Sequence, residues 1–171
     1  MGSCTSCVAH MKEISDASSN TNANADANAT DKEVPIAFVL PITEGYVIKV
    51  YDGDTITIQF KLTYRSSPLY KISVRLNGID CPEMKSKNQV EKECAKIAKE
   101  KVSQLLLHQT VELKNLSMEK YGRLLADVYF NGKNVNQWLV DNHLAVSYDG
   151  GTKISPENWM EYYHKITFKD F

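Results

Sequence analysis

The stretch GYVIKVYDGDTITIQFKL, residues 45–62, contains two runs rich in β-branched and aromatic residues, separated by the pair Asp52-Gly53. Asp-Gly between two such runs is the strongest short-range signal for a β-hairpin. From Thr55 onwards apolar residues alternate with polar ones, which gives the second strand one buried face. This stretch therefore predicts a half-buried antiparallel hairpin.

Several other segments of the chain have regular hydrophobic periodicity. Some alternate like the first hairpin, and others place apolar residues at helical spacing. Five short antiparallel strands with an interposed helix fit a partly open Greek-key barrel. We therefore expect an α+β fold, with an OB-type five-stranded Greek-key β-barrel and about three helices. The further strands are predicted at 70–76, 110–116 and 124–130, and the helices at 88–107, at 135–144 and from the N-cap Ser155 onwards.

Length and charge favour one domain preceded by a tail. The chain has 171 residues and a net charge of −1. Residues 1–39 hold two Lys against five Asp and Glu, so the remaining eighteen Lys and Arg face sixteen acids in a mildly basic body. No apolar run reaches the length of a membrane-spanning helix, and no secretory signal pattern is present. We expect residues 40–171 to form one domain that is made in the cytosol.

The first residues of the chain fit an acylation signal. Met1-Gly2 is followed by Ser6 at the spacing of the M-G-x-x-x-[ST] pattern, which predicts N-myristoylation of Gly2. One myristoyl chain binds a membrane only marginally, so a second anchor is expected, and Cys4 and Cys7 are close enough for thioester acylation. The predicted location is the cytoplasmic side of a membrane, in particular the plasma membrane.

Residues 1–39 as a whole are predicted to be a flexible, lipidated tail and linker. Between 15 and 31 the chain consists almost entirely of Ser, Asn, Ala, Thr and Asp and has little to bury. Cys4, Cys7 and His10 could alternatively bind zinc, but a structural zinc site needs four ligands and no second pair with finger spacing follows. Because two of the four cysteines lie in this tail, a disulfide framework is not expected, and the thiols are predicted to be reduced.

Three charged motifs follow one another along the body of the chain. They are VYDGDT at 50–55, VRLNGIDCPE at 74–83 and EKYGR at 119–123, with a weaker stretch from 134 to 145. Each motif alone is unremarkable. Together and in this order, they resemble the staphylococcal (micrococcal) nuclease family.

The resemblance implies a metal site and a set of catalytic groups. Asp54 and Asp80 would ligate a single Ca²⁺ together with the backbone carbonyl of Cys81, an all-oxygen set that suits calcium. Glu83 would orient or deprotonate the attacking water. The catalytic arginines would be Arg75 and Arg123, whose planar forks can each hold two phosphate oxygens.

The resemblance also implies the substrate. Lys120, Tyr121 and Tyr148 match positions that contact the terminal phosphate and stack on a base, which suits sequence-tolerant binding of single strands. The expected activity is calcium-dependent hydrolysis of single-stranded DNA and RNA, with 5′-hydroxyl and 3′-phosphate products. We expect the protein to act as a monomer.

Two other classes of function remain open from the sequence. The domain could be a catalytically silent OB module that binds nucleic acid or protein, or an adaptor whose purpose is membrane tethering. Asp52 is predicted as a turn residue, or as a residue that supports the ligands from behind, and not as a ligand itself. Cys81 stands where we associate a threonine with the family, so a thiol near the site could make activity sensitive to oxidation.

Overall fold

The predicted barrel is present. The computed structural model describes residues 35–119 and 121–171, and residues 36–171 make their contacts as one unit. Neighbouring barrel strands are antiparallel, with one exception. The strands at 70–76 and 124–130 pair in parallel, and this pairing closes the sheet into a barrel. In chain order the elements are β1 (Glu44–Asp52), β2 (Thr55–Phe60), β3 (Tyr70–Leu76), β4 (Ile79–Asp80), α1 (Gln89–Leu106), β5 (Thr110–Met118), β6 (Leu124–Phe130), β7 (Lys133–Asn134), α2 (Val135–Asp141), β8 (Val146–Ser147) and α3 (Trp159–His164).

Alternation along the strands produces the barrel interior. In β3 the side chains of Val74 and Leu76 are fully buried, whereas Arg75 between them points to the other side of the sheet. Strand β2 opposes β3 in register, with Ile56 beside Val74 and Thr55 beside Arg75. Burial of each large aliphatic side chain is worth about 1.5–3 kcal/mol. The core is therefore apolar, and charged groups are left on the outside of the strands.

The long helix was predicted correctly, and its predicted apolar face is buried except in the first turn. Asn88 caps α1 by accepting hydrogen bonds from the backbone N–H groups of residues 90 and 91. Leu106 is fully buried and Leu105 only partly, while Val90 in the first turn is exposed. Of the apolar residues that helical spacing places on one side, Cys94, Ala98 and Val102 are buried, and Ile97 and Leu105 are partly buried against the core. Only Val90 was assigned wrongly.

The two C-terminal helices are shorter than predicted. Helix α2 ends at Asp141, because Asn142 caps it and His143 adopts a positive φ of 52°. Helix α3 begins at Trp159 and not after Ser155, since it is the Asn158 side chain that accepts from the first free N–H groups. Strands β4, β7 and β8 span two residues each and have no periodicity that a sequence could reveal.

Some of the predictions concern residues outside the described ranges. Gly2, Cys4, Cys7 and Lys120 are among them, so acylation and the role of Lys120 stay predictions. Among the residues that the structure does describe, no helix is both long enough and apolar enough to cross a membrane.

One buried amide joins α2 to the barrel. Asn136 is 4% exposed, and its Nδ2 donates to the carbonyls of Asn77 (2.8 Å) and Ala126 (3.3 Å). Its Oδ1 accepts from the backbone N–H of Val128 at 3.0 Å. The amide therefore connects helix α2, strand β6 and the turn that leads from β3 to β4.

We expect Asn136→Ala to destabilise the domain, because the Val128 N–H and the Asn77 carbonyl lose the side chain that pairs with them, and the Ala126 carbonyl keeps only the bond from Asn77 N. An unsatisfied buried group costs about 1–3 kcal/mol. Gln137→Ala on the exposed face of the same helix is the control and should change the free energy of unfolding by less than about 0.5 kcal/mol. Urea unfolding measures both, and equal values for the two variants would contradict the structural role of Asn136.

Candidate active site

One polar pocket of about 360 Å³ gathers most of the predicted site residues. It lies where the β1–β2 turn, the end of β3, the segment after β4 and the loop before β6 meet. Among the predicted site residues that the structure describes, Tyr121 is the one that does not line this pocket, and it is 74% exposed. The lining residues are Asp52, Asp54, Arg75, Asp80, Cys81, Pro82, Glu83, Glu119, Arg123, Tyr148 and Lys153.

Arg75 bridges the two predicted metal-ligating carboxylates. Its Nη1 donates to Asp54 Oδ2, and its Nη2 donates to Asp80 Oδ1 at 2.8 Å and to the carbonyl of Ile79 at 3.2 Å. Burial alone would lower the pKa of Arg75, but the charges and hydrogen bonds of Asp54 and Asp80 raise it above its usual range. The guanidinium is therefore permanently charged and compensates two carboxylates that are 5% and 8% exposed.

The β1–β2 turn is pressed against the segment that follows β4. A Cβ at Gly53 would lie 2.8 Å from Cys81 Sγ and 2.9 Å from Ala98 Cβ, so only glycine fits there without movement. Asp54 accepts from the Thr55 hydroxyl at 2.9 Å and lies 3.4 Å from the backbone N of Cys81. This close approach fixes Asp54 in the pocket.

The side chain of Cys81 points away from solvent. It is buried, and burial raises the pKa of its thiol well above the usual value, as do the charges of Asp54 and Asp52. A buried, protonated thiol is inert, so the structure argues against the expectation that Cys81 makes activity sensitive to oxidation. Its carbonyl oxygen instead accepts a hydrogen bond from Lys153 Nζ at 3.2 Å. The main-chain oxygen is thus directed towards a cation.

Lys153 is the site residue that sequence reasoning missed. It belongs to the loop between β8 and α3, and its Nζ lies 2.5 Å from Asp80 Oδ2 and 3.9 Å from Glu83 Oε1. Pairing of β8 with β4, which places Val146 opposite Asp80, brings this loop to the pocket. The only available signal was a lysine in a Gly-rich loop, which is ordinarily a solvated surface charge.

Arg123 reaches the pocket because the barrel closes. Parallel pairing places Arg75 of β3 opposite Leu125 of β6, so two arginines far apart in sequence come to the same end of the barrel. Arg123 Nε donates to Glu119 Oε2 at 2.6 Å, and 33% of the Arg123 side chain is exposed. Glu83 lies at the pocket mouth with 65% of its side chain exposed.

Asp52 takes a larger part in the pocket than a turn residue would. Its Oδ1 is buried and has no hydrogen-bond partner. Burial raises its pKa from the ordinary value to about 7, and the neighbouring charge of Asp54 contributes. A third carboxylate therefore lies beside the two that Arg75 bridges.

The donor set fits a hard cation. Within residues 35–119 and 121–171, no group of three or more His, Cys, Asp and Glu side chains is arranged to hold a metal ion. The predicted set is different, since it consists of the carboxylates of Asp54 and Asp80 and one main-chain carbonyl. An ammonium group already contacts Asp80 and the Cys81 carbonyl. Oxygen donors of this kind suit a divalent ion such as calcium.

The fold and the pocket define an OB-type domain in which arginines and clustered carboxylates share one site. Comparison with known proteins gives the family. The model described as staphylococcal nuclease homologue matches residues 73–165, and the chain belongs to this family. Asp54 precedes the matched range, and it is the β1–β2 turn that brings it to the site.

The chain is also similar to proteins named as endonucleases. One from Schizosaccharomyces pombe, named a probable endonuclease, is 32% identical over 62% of this chain and 56% of its own length. Uncharacterized endonucleases of Haemophilus influenzae and Escherichia coli are 35% and 31% identical, over 60% and 61% of this chain and 51% and 61% of their own lengths. The chain therefore spans between about half and three fifths of these relatives.

The raised pKa of Asp52 predicts how stability depends on pH. The folded state binds a proton more tightly than the unfolded chain, so this group stabilises the fold at low pH and that contribution is lost as pH rises towards and past 7. Asp52→Asn cannot titrate, so its stability relative to wild type should increase from pH 5 to pH 8.

Urea unfolding in a chelating buffer at both pH values measures this difference. Asp170→Asn, which changes an exposed carboxylate outside the pocket, controls for the altered net charge. A constant offset between wild type and Asp52→Asn across this pH range would contradict the assignment.

Proposed function

We propose that this domain is a calcium-dependent endonuclease that hydrolyses phosphodiester bonds of single-stranded DNA and RNA and leaves 5′-hydroxyl and 3′-phosphate ends. The observation that carries the proposal is the convergence of Asp54, Arg75, Asp80, Glu83 and Arg123 on one pocket. Membership of the staphylococcal nuclease homologue family and similarity to proteins named endonucleases support it.

Each group has a chemical task in this proposal. Arg75 and Arg123 bind the non-bridging phosphate oxygens and stabilise the charge that builds on them. Glu83, at the open side of the pocket, orients the attacking water and accepts its proton. Asp54, Asp80 and the Cys81 carbonyl would hold the ion, which when bound polarises the phosphate. Glu119 keeps Arg123 in place through the contact with Nε.

Surfaces around the pocket support a polymeric single-stranded substrate. Tyr148 lines the pocket, and a groove of about 400 Å³ adjoins it at Asp52 and Glu83. The groove carries Tyr51, which is half exposed and has the Lys49 ammonium 5.8 Å from its ring centre. Aromatic faces interleaved with lysines bind successive bases and phosphates without sequence preference. Lys85 and Lys99 also line this groove.

We expect Glu83→Gln and Arg123→Ala each to lower kcat by about 10²-fold or more, because these side chains act on the attacking water and on the charged phosphate. Cleavage of a labelled single-stranded oligonucleotide and of an RNA of the same sequence, with calcium and with excess EDTA, measures the effect. EDTA should abolish turnover in the wild type.

Matched controls are Glu157→Gln and Arg65→Ala, which make the same chemical changes at exposed positions outside the pocket. Folded Glu83→Gln enzyme with near-normal turnover would refute the role of that carboxylate. Undiminished cleavage in EDTA would remove the metal from the proposal. Wild type that binds RNA but cleaves nothing would favour the silent binding module.

We further propose that acylation of the tail holds the domain at the cytoplasmic side of the plasma membrane. The support is the Met1-Gly2 pattern with Ser6, joined by Cys4 and Cys7 as candidate second anchors. Because the barrel carries the catalytic groups, tethering and catalysis depend on different parts of the chain.

Gly2→Ala should move the protein from the membrane to the soluble fraction of a eukaryotic cell, because the variant has no acceptor for the myristoyl group. The activity of the purified variant should equal that of wild type. Cys4→Ser with Cys7→Ser is the companion variant, and it should weaken attachment while it keeps the myristoyl mass. A wild type that is soluble and has no acyl mass would end the tethering proposal and leave the nuclease proposal intact.

A further inference from the structure

We propose that Lys153 is a built-in competitor for the metal ion and so lowers the affinity of the site for the ion. This inference rests on the proposed function, because it uses the ligand set of Asp54, Asp80 and the Cys81 carbonyl. Lys153 Nζ lies 2.5 Å from Asp80 Oδ2 and 3.2 Å from the Cys81 carbonyl oxygen. The ammonium therefore contacts two of the three proposed ligands.

Lys153 reaches these oxygens because the loop that follows β8 starts beside the pocket. The β4–β8 pairing and the hydrogen bond from Tyr148 N to the Gly78 carbonyl (2.9 Å) anchor the start of the loop beside the pocket. The Lys153 side chain is only 27% exposed. Lysines are mostly solvated, so a half-buried ammonium with two oxygen partners indicates a specific contact.

Arg75 and Lys153, the two cations that contact Asp80, occupy different oxygens of its carboxylate. Arg75 Nη2 donates to Oδ1, whereas Lys153 Nζ contacts Oδ2. A divalent ion on Asp80 and the Cys81 carbonyl would take the oxygens that Lys153 uses, and its charge would repel the ammonium. Arg75 can stay on Oδ1 of Asp80 and on Oδ2 of Asp54, because Asp54 still has Oδ1, which accepts from the Thr55 hydroxyl, to offer to the ion. Entry of the ion is therefore an exchange in which Lys153 must leave.

This exchange has a consequence for affinity. Any cation that takes these oxygens must first displace the ammonium, and the cost of breaking its contacts with Asp80 and the Cys81 carbonyl is the same for every ion. Lys153 thus weakens all metal binding by a common factor.

Calorimetric titration with calcium, in the absence of nucleic acid, tests the proposal. Lys153→Met should bind calcium about tenfold more tightly than wild type, because no charged hydrogen bond has to be broken. Lys165→Met removes the same charge from an exposed position at the end of α3 and should leave the affinity within about twofold. Asp80→Ala should abolish the binding and so locate it.

Thermal unfolding gives a second, independent readout. Without calcium, Lys153→Met should have a lower Tm than wild type, because Asp80 loses a partner. With saturating calcium the two values should converge. If Lys153→Met does not fold, Lys153→Gln provides the same comparison with a polar group retained.

Each outcome decides the proposal. Equal or weaker calcium binding by Lys153→Met and Lys153→Gln, with wild type binding normally, would overturn the competition alone. An absence of binding in wild type as well would overturn the metal assignment of the proposed function and this inference with it.

Discussion

The pocket depends on one interaction, the guanidinium of Arg75 held between the carboxylates of Asp54 and Asp80. Two largely buried carboxylates repel each other and lose their hydration, and both penalties are large in a poorly solvated site. A fixed, delocalised cation with several donors compensates both acids at once. Asp54 of the β1–β2 turn and Asp80 of β4 can therefore lie close together without destabilising this end of the barrel. The same cation then faces any phosphate that enters the pocket.

Closure of the barrel provides the second constraint. The parallel contact between β3 and β6 fixes where the loop before β6 ends, and so where Arg123 can lie relative to Arg75. The apolar side chains on the inner faces of these strands hold that contact, and they share no atoms with the pocket. In β3, stability and chemistry are thus assigned to opposite faces of one strand, which follows from the two-residue period of a β-strand.

The parts that the sequence predicted were those with local signals. Alternation predicted both ends of β3 and β6 correctly. The three motifs predicted that the pocket residues from Asp54 to Arg123 belong together. What failed depended on contacts between distant segments. Asn158 and not Ser155 caps α3, because several polar residues in one loop can each cap and only packing selects among them. Lys153 was invisible because the strand pair that positions it is two residues long.

The charges of the pocket are not explained by stability. Buried ion pairs are often no better for stability than well-packed apolar residues of the same volume, and Asp52 adds a carboxylate whose Oδ1 has no partner at all. The barrel has a continuous apolar core to which these charged side chains do not belong. Asp52, Asp54 and Asp80 all line one pocket, and cations already contact the oxygens of Asp54 and Asp80. Such a cluster suits a charged group that enters the pocket and takes the place of one of these cations. The entering group that fits best is a cation that replaces the ammonium of Lys153 on Asp80 and leaves the guanidinium of Arg75 in place.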